Sequence, residues 1–233
     1  MAQTEIRVTF QRNLNALQDD LVRLGSMVDT AIQRAVHALK FQDGDMARDI
    51  IASDTEINDL RFEIEENCLK LIAQQQPMAG DLRRIFTVMH IVLDLERMGD
   101  HAAGIAKIVV QMAGEPPLKP LVDLPRMADI CREMLRQSLD AFVARDTDSV
   151  HDIIKRDDDV DELYNQIFRE IITYLAEDPK AITRGMYLLF ASHNLERIAD
   201  RVTNICERIL FLTTGELAEI PPGETNLKLS GSN

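Results

Sequence analysis

The chain has 233 residues and sets 26 Lys and Arg against 39 Asp and Glu, a formal charge of −13. That balance excludes the broad basic face on which duplex nucleic acid or an anionic membrane surface binds. With 45% hydrophobic residues but only 5% aromatic, no Trp, 10 Gly and 8 Pro, the chain can fill a large core. It has too few turns for a sandwich or barrel, which turns roughly every 8–12 residues.

The first helix shows its period in Leu14, Leu17, Leu21, Leu24, Val28, Ala31, Ala35 and Ala38, the three-four spacing of helices packed nearly parallel. It breaks at the turn sequence Asp43-Gly44-Asp45. A second helix is expected from Met46 to Ala73, with Ile50, Ile57, Ile64 and Leu71 seven apart. Gln74–Gly80 contains Pro77 and reads as a connector, and a third helix follows from Asp81 to Met112. Gly114–Pro120 holds three prolines, which lack the amide donor and fix φ, so it reads as a linker. Three more helices are expected at Leu124–Ala144, Thr147–Ala176 and Pro179–Leu212, the last capped by Asp178 with proline at its first position. The remainder is poor in apolar residues and reads as a mobile tail.

The two halves repeat. At a spacing of 103, Asp43, Asp49, Ile50, Asp54, Leu60 and Ile64 recur as Asp146, Asp152, Ile153, Asp157, Leu163 and Ile167. At a spacing of 100, Arg84, Leu95, Glu96, Arg97, Asp100 and Ile105 recur as Arg184, Leu195, Glu196, Arg197, Asp200 and Ile205. The loss of three residues falls where the connector shortens. The fold class is therefore all-α, two tandem three-helix bundles at residues 8–113 and 121–213, with a linker at 114–120 and a mobile tail at 214–233.

The best-preserved run is Leu-Glu-Arg-x-x-Asp, at residues 95–100 and 195–200. Glu and Asp four apart share a helix face and repel each other, more so at the edge of an apolar stripe unless a cation offsets them. The second helix of each unit supplies a matching pair, Asp54 with Asn58 and Asp157 with Asp161. Packed side by side, the helices would converge four oxygen-bearing side chains, a ligand set for a hard or borderline cation. The second set is richer: Asn204 and Glu207 continue the face of Asp200, and His193 precedes Glu196 by one turn. The same spacing also suits ordinary surface ion pairs with Arg97 and Arg197. His37, His90, His101 and His151 stand singly and read as core-edge or surface residues.

No phosphate-cradling glycine loop, dinucleotide fingerprint, GxSxG elbow or HExxH is present, and no nucleophile stands beside a base, so the chain reads as a non-enzyme with no catalytic residues. Cys68, Cys131 and Cys206 are odd in number and set among apolar residues, as reduced core thiols of a cytoplasmic protein are. No apolar run approaches the roughly 18–20 residues of a membrane span, and Met1–Phe10 carries no signal-peptide pattern.

The repeated unit with LERMGDHAAGIAK at 95–107 and LERIADRVTNICE at 195–207 resembles the PhoU family of phosphate transport accessory proteins. The resemblance implies two PhoU bundles side by side and multinuclear metal sites, iron or zinc with magnesium or manganese as further choices. By position, Glu96 and Asp100 match the first motif and Glu196 and Asp200 the second. Asp157 and Asp161 match the partner motif, and Asp54 does so with Asn58 in place of an acid. Arg201, Gly104 and Lys107 depart from the family pattern. The resemblance further implies a cytoplasmic negative regulator of phosphate uptake and of the phosphate-starvation response. It would couple a phosphate ABC transporter ATPase to a sensor histidine kinase, work as a homodimer and meet the membrane only through these partners. The alternatives are a metal-free helical adaptor and a di-iron carboxylate enzyme. Di-iron bundles use Glu-x-x-His, whereas His193-x-x-Glu196 runs in reverse and is missing from the first copy.

Overall fold

The computed structural model describes residues 2–112, 115 and 118–216. Among these residues the chain forms α1 (Ala2–Phe41), α2 (Gly44–Gln75), α3 (Ala79–Gln111), α4 (Asp123–Ala144), α5 (Asp148–Glu177) and α6 (Ile182–Thr214), with a 3₁₀ turn at Pro179–Ala181. No strand occurs among them. Helix α1 starts earlier than its leucine seam indicates, and α6 runs two residues past its expected end at Leu212; the expected tail from residue 217 lies outside the described residues. The 3₁₀ turn replaces the expected first turn of α6. Asp178 caps it by accepting from the Lys180 amide at 3.1 Å, and proline occupies its first position, a common way for a helix to begin.

Local chemistry sets the breaks. Gln42 takes the left-handed conformation at φ 53°, and Asp43 then accepts from the Met46 amide at 2.9 Å, satisfying an orphan donor of α2. Arg145, 103 residues on, is left-handed at φ 55°, and Asp146 accepts from the amides of Asp148 and Ser149. The repeat extends to the turns.

Helices α1–α3 form one bundle and α4–α6 the other, joined where α3 packs on α6 and α1 on α4. The central pair is antiparallel. Phe86 meets Phe211 at 5.6 Å between ring centroids, Asp94 meets Arg201 at 3.5 Å and His101 meets Asn194 at 3.0 Å. The last two contacts are one contact seen twice, since 94 corresponds to 194 and 101 to 201. The units are thus related by a pseudo-twofold axis across the helices. Asp29 and Arg132 lie on it: 103 apart, they pair with each other through two bonds of 2.8 and 3.0 Å. A single buried cluster runs through both bundles.

The asymmetric parts are at the termini. Helix α4 begins at Asp123, the counterpart of Asp20, so the first turns of α1 have no equivalent in the second unit. The linker partly fills that role. Leu118 and Leu121 pack on the core, and the nearly buried ammonium of Lys119 pairs with Asp123 at 3.4 Å and with Glu170. Of the predicted linker, Gly114, Pro116 and Pro117 lie outside the described residues. All three cysteines are buried and unbridged, and burial pushes the Cys68 thiol up to about 12. No described helix is long and apolar enough to cross a membrane.

Asp29→Ala should therefore lower stability by about 2 kcal/mol, because it leaves the largely buried Arg132 guanidinium with only the exposed Asp129, 3.8 Å away. Denaturant titration of the single and double variants measures the coupling. Independent, additive effects of Asp29→Ala and Arg132→Ala would contradict the pairing.

Candidate functional site: two carboxylate clusters flanking the central helix pair

In the second unit α5 contributes Asp157 and Asp161, and α6 contributes Glu196 and Asp200. All four predicted side chains come within electrostatic reach. Burial first, then Asp161, Asp200, Asp158 and Glu196, push the Asp157 carboxyl up to about 7. Asp161 is raised by burial, Asp200 and Asp158. Glu196 is raised by burial and then Asp200, with Arg197 and His193 opposing. Two α6 side chains lie against the acids: Arg197 is 2.7 Å from Asp200 and 3.7 Å from Glu196, and His193 Nδ1 is 3.2 Å from Glu196 Oε2. That Glu196 oxygen is buried and has no hydrogen bond.

The first unit brings together three of its four predicted residues as carboxylates, Asp54 from α2 with Glu96 and Asp100 from α3. Gly99 makes room: a Cβ there would lie 3.5 Å from Asp54 Oδ1 and 3.1 Å from Ile57. Asn58 spends its amide on its own helix, donating to the Asp54 carbonyl at 3.1 Å. Asp54 is raised by burial and Asp100 but held down by Lys107. Glu96 is raised by burial and Asp100, with Arg97 and Arg61 opposing. The counterparts of Arg61 and Lys107 in the second unit are Tyr164 and Glu207. The first cluster therefore has nearby cations, Lys107 and Arg61, that the second lacks, although Arg61 also pairs with Glu65 at 3.0 Å.

A hard or borderline cation is suited by the donor chemistry, carboxylate oxygens with a neighbouring imidazole in the second unit. The repulsion among four acids and the orphaned Glu196 oxygen also fit one. The side chains are not closed around an ion: among the described residues no three His, Cys, Asp or Glu groups are spaced to hold one. Arg97 and Arg197 make the surface ion pairs that the alternative reading expected.

One expectation is corrected. Asn204 does not continue the Asp200 face but turns into the central seam, donating to Asp94 at 3.4 Å. Its counterpart Gly104 is glycine for the matching reason, since a Cβ there would lie 2.9 Å from Asn194 Oδ1. Sequence reasoning missed Asp94 and Arg61. Comparing position 94 with 194 and 101 with 201, where Asp and Arg face Asn and His across the repeat, would have exposed the seam.

The sequence matches the PhoU domain family over residues 21–109 and again over 124–209. A phosphate-specific transport system accessory protein PhoU homolog of Clostridium acetobutylicum is 42% identical over 92% of this chain and 98% of its own. The homolog of Aquifex aeolicus is 41% identical over 89% and 94%. The crystal structure of the phosphate transport system regulatory protein PhoU from Streptococcus pneumoniae superposes with a TM-score of 0.83 at 36% identity, covering 91% of this chain and all of that one. PhoU from Pseudomonas aeruginosa gives 0.84 at 33%, covering 89% of this chain.

The raised Asp157 carboxyl has a signed consequence. The folded protein holds this proton more tightly than the unfolded chain, so the stability it contributes is complete below about pH 4. It is lost as the pH rises through about 7. Without divalent cations the melting temperature should fall between pH 5 and pH 8, and Asp157→Asn should flatten that fall. Thermal scans showing the same slope in both proteins would refute this account.

Proposed function

Because the chain belongs to the PhoU family, we propose that it is an accessory regulator of phosphate transport that holds uptake and the phosphate-starvation response in check. It acts in the cytoplasm, as a homodimer, by coupling a phosphate ABC transporter ATPase to a sensor histidine kinase, and it catalyses no reaction. The observation that carries this reading is the match of both units over nearly the whole chain to phosphate transport accessory proteins. The pseudo-twofold arrangement supports the bridging part, because it presents two related faces on one rigid body, and a bridge gains effective concentration for the second partner.

Metal binding belongs to the same proposal. Asp157, Asp161, Glu196 and Asp200 would hold a cation in the second unit, and Asp54, Glu96 and Asp100 a weaker one in the first. A bound cation supplies fixed positive charge and open positions for an acidic group of a partner. The chain's own residues do the positioning: α5 and α6 hold the four acids against each other, and Arg197 and His193 tether two of them until they swing inward. In the first unit Lys107 already offsets Asp54, which lowers the demand for a metal. The metal-free adaptor stands as a second reading because Arg97 and Arg197 engage the acids.

Elemental analysis after purification without chelator separates them. Glu196→Ala with Asp200→Ala should remove most bound iron or zinc, and Glu96→Ala with Asp100→Ala should remove less. Metal below about a tenth of an equivalent per chain, unchanged by either pair, would favour the adaptor. The regulatory reading is tested by co-purification with the transporter ATPase and the kinase at high and low phosphate. Binding to neither at any phosphate level would remove it.

A further inference from the structure

Helices α5 and α6 run antiparallel in a register that their contacts fix. The Tyr164 and His193 rings lie 6.3 Å apart between centroids, and a Cβ on Gly185 would lie 3.1 Å from both Ile171 and Leu175. On that register Asp157 stands opposite Asp200 and Asp161 opposite Glu196. Beyond the Tyr164–His193 pair, Ile172 stands opposite Met186. The α5 positions 157, 161, 164, 168 and 172 recur every three or four residues and so share one helix face. One groove therefore carries acids at one end and apolar side chains at the other, over about 27 Å from Asp157 to Leu175.

The apolar half of the groove is uncovered. Phe168 and Ile172 on α5 are 42% and 51% exposed, and Ile182 and Phe190 on α6 are 57% and 51% exposed. Phe190 lies on the seam side of the groove, one turn before Asn194, which donates to its carbonyl at 2.8 Å. Single exposed apolar residues are ordinary on a protein surface, whereas a contiguous group of them marks a binding surface. The helix packing does not call for this group. Val160, Leu163, Ile167 and Ile171 already supply the buried face of α5.

The repeat supplies an internal comparison. In the first unit the places of Tyr164 and Phe168 are taken by Arg61 and Glu65, which pair with each other at 3.0 Å. That ion pair stands between the first unit's acids and its exposed Leu69 and Leu82. The aromatic rings there are engaged by their own chain: the Arg61 guanidinium lies 3.8 Å from the Phe62 centroid, and Phe86 packs on Phe211. In the second unit Tyr164 and Phe168 continue the apolar track up to the acids.

We propose that the α5–α6 groove receives an amphipathic helix of a partner protein, apolar over the turns that meet Phe168 and Ile172 and basic over the turns that meet Asp157 and Asp161. Such a helix seats its apolar face in a groove through residues three or four apart. Charge decides the class of occupant and its direction. Burial and neighbouring acids raise Asp157 and Asp161, while Arg197 meets Glu196 and Asp200, and His193 meets Glu196. Lysine or arginine on the incoming helix relieves the repulsion that is left, and an acidic residue adds to it. The carboxylates are those assigned above to a cation, but the docking rests on the groove and its apolar half and needs no metal.

Fluorescence anisotropy tests this with a labelled peptide of about 18 residues, long enough as a helix to span the groove. It carries leucines at three- and four-residue spacing in one half and lysines on the same face in the other. EDTA in the buffer keeps the result independent of the metal reading. Saturable binding that weakens with added salt is expected. Phe168→Ser with Phe190→Ser should weaken it about tenfold or more, and Asp157→Asn with Asp161→Asn should weaken it and flatten its salt dependence. Phe62→Ser with Leu69→Ser in the first unit should leave it unchanged. Amide shifts in the unaltered protein should run along 161–175 and 182–196. No saturable binding below about 1 mM would overturn the proposal. So would equal affinity for a peptide with glutamates in place of the lysines, or full affinity in the Phe168 and Phe190 variant. If that variant instead turns a dimer into monomers and no peptide binds, the groove is a contact between copies of this chain, and the proposal falls.

Discussion

The antiparallel packing of α3 on α6 is the constraint on which the rest of this molecule depends. Leu95, Met98, Ala102 and Ile105 on one helix and Leu195, Ile198, Val202 and Ile205 on the other are fully buried. Each larger side chain among them contributes about 1.5–3 kcal/mol on leaving water. Because the chain is a repeat folded about a pseudo-twofold axis, every seam position must suit a partner drawn from the other copy. Asp94 with Arg201 and Asn194 with His101 are two solutions to the same geometric problem. Gly104 is the clearance that Asn194 requires.

That packing also explains how like charges are kept together. The carboxylates project from the edges of the buried stripes, so their separation is set by helices that cannot part without opening the core. Left to themselves, Asp157, Asp161, Glu196 and Asp200 would move apart or take up protons; burial first, and then the neighbouring acids, push the Asp157 carboxyl up. A rigid core holding an unfavourable arrangement of acids is a common physical basis for a binding site.

The two copies have diverged in the charges that surround their acid clusters. Arg61 and Lys107 accompany the first cluster, and Tyr164 and Glu207 replace them in the second. Arg145 and Arg208 face Gln42 and Ile108 across the axis. The turns themselves, with left-handed Gln42 and Arg145, superimpose in conformation. One backbone plan therefore carries two acid clusters with different cationic neighbours.

The helices and the repeat were legible in the sequence, because the period of Leu14 to Ala38 and the recurrence of Leu-Glu-Arg-x-x-Asp are local properties of the chain. The acid positions were legible for the same reason: residues four apart share a face wherever the helix lies. The antiparallel sense of α3 on α6, the inward turn of Asn204 and the pairing of Asp29 with Arg132 were not. They join residues 93–110 positions apart, and their partners are chosen by which surfaces bury the most apolar area together. Helical periodicity says which face of each helix must be covered; only the packed structure decides what covers it.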